Sequence, residues 1–263
     1  MYSKPEYFGT YYAEAFKHHA VVDAYRYRPP YPREVFDVLS HLMTDESRTL
    51  LDVGAGSGDV ARHCLTFAER VDAVDFSQSM IEQGKRLPNG DHPHLHWVYG
   101  KIEEVPLTPP YSLITAGSSI HWTQWSLAFP RFRRMLSPHG YLALLHRGVQ
   151  PMPWDEELRK LRVHFSTRYD RGSAHVLPDL EEGGFFLKKG QKETAPVPFA
   201  QSLDDFIEGL HSRSGLAKER MGQEKAAAFD QQVRELLFPY CEKGMLSLRV
   251  VGTVTWGIPG EGK

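Results

Sequence analysis

Seven residues, Asp52-Val53-Gly54-Ala55-Gly56-Ser57-Gly58, constrain this chain more than any others. An apolar run from Leu50 to Val53 enters them, and a helix-like segment, DVARHCLTFAER, leaves them. Glycine at a strand-to-helix turn lets the backbone turn tightly and lets a ligand approach with no Cβ in the way. A turn of this kind after a first strand is where open α/β sheets bind ligands. The spacing separates ligand classes. A dinucleotide pattern G-x-G-x-x-G counted from Gly54 needs glycine at position 59, which is Asp59. The phosphate loop G-x-x-x-x-G-K-[ST] occurs nowhere. What stands here is acid-x-G-x-G-x-G.

The surrounding pattern predicts an α/β fold. Val71 to Val74 reads as a second buried strand closed by Asp75, and Ser77 as the N-cap of a helix bearing Met80 and Ile81. Leu95–Val98, Leu113–Ala116 and Tyr141–Leu145 read as three more strands. Val35, Phe36, Leu39, Leu42 and Met43 mark a helix ahead of the first strand, and Trp125, Phe129, Phe132 and Leu136 a later one that Pro130 is expected to kink or restart. Strands alternating with helices imply right-handed βαβ units and a parallel sheet. Beyond residue 150 the pattern loosens. A helix is expected within 151–171, a weak strand at KETAPVPF, a helix capped by Ser202, another through Phe229, Val233, Leu236 and Leu237, and a final strand from Leu246 to Trp256.

Composition enters as exclusion. With 31 Lys and Arg against 33 Asp and Glu, the chain is not a general nucleic-acid binder. It contains no apolar run of about 18 residues, so no membrane span is expected, and the first residues lack a signal-peptide core. Two cysteines, Cys64 and Cys241, are too few for a disulfide framework or a zinc site, which makes a cytoplasmic setting the default expectation. The spacing of His92, His94 and His96 does not suit a metal.

The glycine loop with Asp75 downstream resembles motif I and the second-strand acid of class I S-adenosylmethionine-dependent methyltransferases. Further segments extend the resemblance toward the subgroup called type 11, with trans-aconitate methyltransferase-like relatives. VDFSQSMIEQGK resembles D-x-S-x-x-M, GKIEEVP the end of a third strand, ITAGSSIHW the exit of a fourth, and MLSPHGYLAL an L-x-P-G-G hairpin. YRYRPPYP and HSRSG resemble a lid and a pocket segment of such relatives. Lys101 stands where the family usually has an acid, Ser112 where it has an Asp, and His139 where it has a hairpin glycine.

The resemblance implies a Rossmann-like, mostly parallel seven-strand sheet with helices on both faces and a helical cap. Residues 1–32 would be a lid, 33–150 the cofactor-binding core, and 151–263 the completion of the sheet with the cap. It implies methyl transfer from S-adenosylmethionine, leaving S-adenosylhomocysteine, to a small organic acceptor at O, C or N. A protein methyltransferase, or a non-methylating enzyme or binding protein on the same fold, is the alternative. The expected cofactor residues are Tyr25, Arg28, Asp52, Gly54, Ala55, Gly56, Asp75, Phe76, Met80, Lys101, Ile102 and Gly117. Asp75 would take both ribose hydroxyls, since a carboxylate offers two acceptor oxygens. Phe76 and Met80 would sandwich the adenine. Tyr31, Trp122, Trp154, His211, Ser212 and Ser214 are expected at the acceptor pocket, and His121 is the candidate base.

Overall fold

A computed structural model describes residues 19–167 and 176–263. Helix α1 (His19–Ala24) and α2 (Arg33–Leu42) precede the sheet. Strands β1 (Thr49–Val53), β2 (Arg70–Asp75), β3 (Leu95–Tyr99) and β4 (Tyr111–Gly117) then alternate with α3 (Ala61–Cys64) and α4 (Gln78–Arg86). All four strands are parallel, in the order β3-β2-β1-β4. Helix α5 (Trp125–Met135) leads into the 14-residue β5 (Leu136–Val149), parallel to β4. Every residue of β4 before Gly117 is buried, as expected of a strand covered on both faces.

The second half adds α6 (Asp155–Phe165), α7 (Val176–Glu182), β6 (Phe186–Glu193), β7 (Val197–Ser202), α8 (Leu203–Leu210), α9 (Lys218–Met221), α10 (Gln223–Leu237) and β8 (Met245–Pro259). β8 runs antiparallel beside β5, and its two halves take different partners. Thr253 to Pro259 pair with β6, and Met245 to Val250 pair with β7. The ordered path is thus the expected seven strands, β3-β2-β1-β4-β5-β8-β6, and β7 joins as an eighth on β8. The upper half of β8 carries the sheet into the cap, because α8 follows β7 without a gap.

Three apolar cores result. One face of the sheet packs Trp125, Phe129 and Phe132 of α5 with Leu180 of α7. The other packs Val35, Phe36 and Leu39 of α2 with Ala61 and Cys64 of α3. A third core, centred on Phe165, Ile207, Phe229 and Val233, lies within the cap. Both predicted N-caps form: Ser77 Oγ accepts from the Met80 N–H and Ser202 Oγ from the Asp205 N–H.

Several expectations change. Pro130 neither ends nor restarts α5, which runs through it with Phe129 and Phe132 fully buried on either side. KETAPVPF is two strand ends separated by Thr194-Ala195-Pro196, because β8 trades one partner for the other at that point. The helix expected in 151–171 ends at Phe165, and residues 168–171 lie outside the described part, as do residues 1–18 of the predicted lid. β6 and α7 have no clear periodic signal, since β6 has only Phe186 buried. His139 sits inside β5 and needs no left-handed backbone. The close approach belongs to Gly140, where a Cβ would lie 3.0 Å from the carbonyl oxygens of Tyr111 and Ser112.

Candidate functional site

The glycine loop, the second-strand acid and the cap enclose one cavity of about 690 Å³. Its floor is set by the ends of β1, β2 and β4. Asp52, 1% exposed, supports the loop from below: its Oδ2 accepts from the Ala61 N–H and its Oδ1 from the Thr115 hydroxyl. Burial, with Asp75 and Asp59 nearby, pushes its carboxyl up to about 7. Asp52 does not itself face the main cavity, and neither does Ala55; both border a small recess behind the loop.

Gly54 and Gly56 both have positive φ, +63° and +57°. They differ in what a side chain would meet. A Cβ on Gly54 would sit 2.5 Å from Cβ of Ser119, which in turn hydrogen-bonds the Val53 carbonyl. That glycine serves packing within the fold, and it lines the cavity as well. Among the described residues, a Cβ on Gly56 would have only Tyr25 Cε1, at 4.0 Å, within reach, and Gly56 lines the cavity.

Asp75 is 6% exposed and lines the cavity. Oδ2 accepts from the Gly56 N–H and Oδ1 from the Ser77 N–H, both at 2.7 Å. Burial still outweighs these bonds and raises the carboxyl to about 6. A third backbone bond, from the Phe76 N–H, also reaches this carboxylate, and a carboxylate offers about four acceptor sites in all. Phe76, Met80, Lys101 and Ile102 line the same end, and Gly117 the floor beside it. A buried two-oxygen acceptor beside apolar side chains, with a loop that carries no Cβ at Gly56, fits an adenosine group.

Residues 27 and 28 are tied to Gln201 and Ser212. Arg28 donates through Nε and Nη2 to Oγ and O of Ser212, both at 2.8 Å, and its guanidinium lies 3.9 Å over the Tyr25 ring. Gln201 Nε2 donates to the Tyr27 carbonyl. Tyr31, expected at the acceptor wall, stands instead beside the loop recess. Arg147 covers its ring at 4.6 Å and burial pushes its hydroxyl up to about 12.

His121 and Trp122 lie on a 3-10 turn just after β4, with ring centroids 4.5 Å apart. Both line the cavity, as do Trp154, Ser212 and Ser214. His211 does not. It is 2% exposed, with Nδ1 on the Leu216 carbonyl and Nε2 on Asp230, so the cap's own structure claims it. The sequence reading passed over Ser118, a non-glycine residue at φ +54° on the cavity wall. It also passed over His146, Arg162 and Arg213 on that wall. Arg213 lies inside HSRSG, and His146 directly follows the strand expected at Tyr141–Leu145.

Residues 50–140 match the sequence model of a family described as a methyltransferase domain. The malonyl-[acyl-carrier protein] O-methyltransferase of Halalkalibacterium halodurans is 33% identical over 105 residues, covering 37% of this chain and 38% of that protein. The chain thus matches well under half the length of that relative. The enzyme of the same name from Enterobacter lignolyticus is 26% identical over 187 residues, 68% of each. A solved structure described as a candidate type II methyltransferase of Anaeromyxobacter dehalogenans superposes with a TM-score of 0.65 at 22% identity, covering 88% of this chain and 97% of that one. Residues 50–140 thus match a methyltransferase domain, and the glycine loop and Asp75 both lie within that stretch.

Proposed function

We propose that this chain transfers a methyl group from S-adenosylmethionine to a small organic acceptor. One observation carries the reading: a single cavity has Asp75 and Gly56 at one end and the walls of the cap at the other. When bound, S-adenosylmethionine supplies a methyl group already activated by the adjoining sulfonium, so the protein's part is chiefly binding and orientation. Asp75 would hold the ribose hydroxyls, and Phe76, Met80 and Ile102 the adenine. The segments carrying Arg28, Trp154 and Ser212 close the space above, which restricts water and fixes the acceptor's approach. His121 would accept the acceptor's proton where one must leave. The division into lid, core and cap follows the same logic, since the cap has a core of its own. Walls contributed by α6 and α8 suit a small molecule better than an open protein surface.

The test is release of S-adenosylhomocysteine by the purified chain against a panel of metabolites and a protein extract. Turnover is expected with small molecules and not with extract proteins. Tight binding of NAD, with no heat from either sulfur compound, would overturn the reading.

A further inference from the structure

The end of β5 brings a second imidazole to the cavity. Successive residues of a strand point to opposite faces. Leu142 and Leu144 pack in the core beneath α5, together with Ile120 of the turn that carries His121. His146 follows them on that face. Leu145 packs on the opposite face, and Arg147 follows it there to pair with Asp59 at 2.9 Å. The ends of β4 and β5 are joined at this level, since the Ser118 N–H donates to the Leu145 carbonyl at 3.0 Å. The two imidazoles are held differently. His121 is 9% exposed, with its ring against Trp122. His146 is exposed into the cavity, and among the described residues no hydrogen bond engages its ring. The surrounding protein still displaces much of its water. That burial, then the charges of Arg213 in the loop after α8 and of Arg147 on its own strand, push its pKa down.

A neutral imidazole keeps one ring nitrogen as a proton acceptor. The neighbours of His146 also select what it can serve. Guanidinium charges repel an ammonium group, and an ionised carboxylate has no proton to give. A hydroxyl compound is uncharged and carries one. Trp154, Leu158 and Phe206 supply the apolar wall that an aromatic ring fills. We propose that His146 is a catalytic residue of this cavity, a proton acceptor on the strand next to that of His121, and that it serves a neutral aromatic hydroxyl compound methylated on oxygen. The proposal rests on the methyl-transfer reading. In the step, the hydroxyl oxygen takes the methyl carbon, leaving the electron pair of the broken C–S bond on sulfur. The O–H proton passes to the free ring nitrogen of His146. The imidazolium so formed stands beside Arg213 and Arg147, whose charges drive its proton on to water.

The experiment measures release of S-adenosylhomocysteine by the full chain across pH, with phenols of graded acidity beside primary amines and carboxylates. Phenols are expected to turn over and the other two classes are not. His146→Asn should lower kcat with weakly acidic phenols by roughly 10²–10⁴, and far less with nitrophenols, which ionise unaided. His146→Gln, a second variant of similar polarity, should do the same. Both should keep the wild-type melting temperature and S-adenosylhomocysteine affinity. Activity rises with pH as a base loses its proton. Arg213→Gln removes one of the charges that hold the His146 pKa down, so this limb should move to higher pH. Wild-type rates with weak phenols in both His146 variants would overturn the proposal. So would equal losses with every phenol, an unmoved limb in Arg213→Gln, or transfer to amines or carboxylates alone. A limb lost in His121→Asn and kept in His146→Asn would give the proton to His121 and also overturn it. No release from any compound would instead remove the methyl-transfer reading, and the role of His146 with it.

Discussion

Gly54 and Gly56 are chemically identical, share the left-handed backbone region and stand two residues apart, yet their environments separate their roles. Left-handed backbone costs an L-residue roughly 1–2 kcal/mol at either position. Gly54→Ala adds a collision with Ser119 and should lower the melting temperature further than Gly56→Ala does. Gly56→Ala adds a methyl group on the cavity side. It should lose more S-adenosylhomocysteine affinity than its loss of stability explains, by calorimetry beside thermal melts. Wild-type affinity in Gly56→Ala would remove the loop from the cradle. Asp75 supplies the pH dependence. A carboxyl whose folded pKa is raised contributes stability that is complete below its unfolded pKa and is lost as pH rises through the folded one. For Asp75 that window runs from 3.8 to about 6, and for Asp52 to about 7, so the unliganded chain loses this contribution on approaching neutrality. Hydroxyls donating to Asp75 favour its ionised form. S-adenosylhomocysteine affinity should therefore rise roughly tenfold between about pH 5 and pH 6, and level off above neutrality. Calorimetry in buffers of different ionisation enthalpy counts the proton released, and a flat profile would place the ribose elsewhere.

Among the elements, the turn after β4 carries the proposed base. Thr115 and Ala116 are buried in the strand, Ser118 turns the chain at positive φ, and the 3-10 turn Ile120–Trp122 then presents His121 to the cavity. His121→Asn keeps polarity and approximate size but cannot take a proton near neutrality. If His121 is the base, turnover should fall by roughly 10²–10⁴ with cofactor affinity unchanged, and the loss should ease at high pH. A wall role predicts a change in acceptor KM with little pH dependence. Wild-type turnover across the neutral range would rule out the base. The long β8 decides the other half of the site. By pairing with β6 over one half and β7 over the other, it turns a flat sheet edge into the base of the cap.

At the scale of the whole molecule, the cap has a core separate from those of the sheet. Phe229 is fully buried within it, with ring centroids 5.4 Å from Phe165 and 5.6 Å from His211. Phe229→Ala should cost about 3–5 kcal/mol of cap stability. Because the glycine loop and Asp75 pack elsewhere, S-adenosylhomocysteine binding should fall far less than acceptor turnover. A parallel collapse of both, measured by calorimetry and product release, would show that lid and cap are one cooperative unit.

The sequence by itself determined what depends on neighbours along the chain. Glycine spacing, an acid at a strand end and apolar runs are local, and they fixed the strand-turn-helix of the cofactor site, the parallel order implied by βαβ alternation, and the caps at Ser77 and Ser202. Only the tertiary structure decided which side chains meet across the chain. Gly54 is filled by Ser119, 65 residues away, and Arg28 reaches Ser212, 184 residues away. His211 is turned from the cavity by Asp230, while His146, Arg162 and Arg213 are gathered around it from three separate elements. The glycine loop is legible because its function is written in backbone conformation, which local sequence controls. The far end of the cavity is not, because it is lined from separate elements whose distances are set by packing.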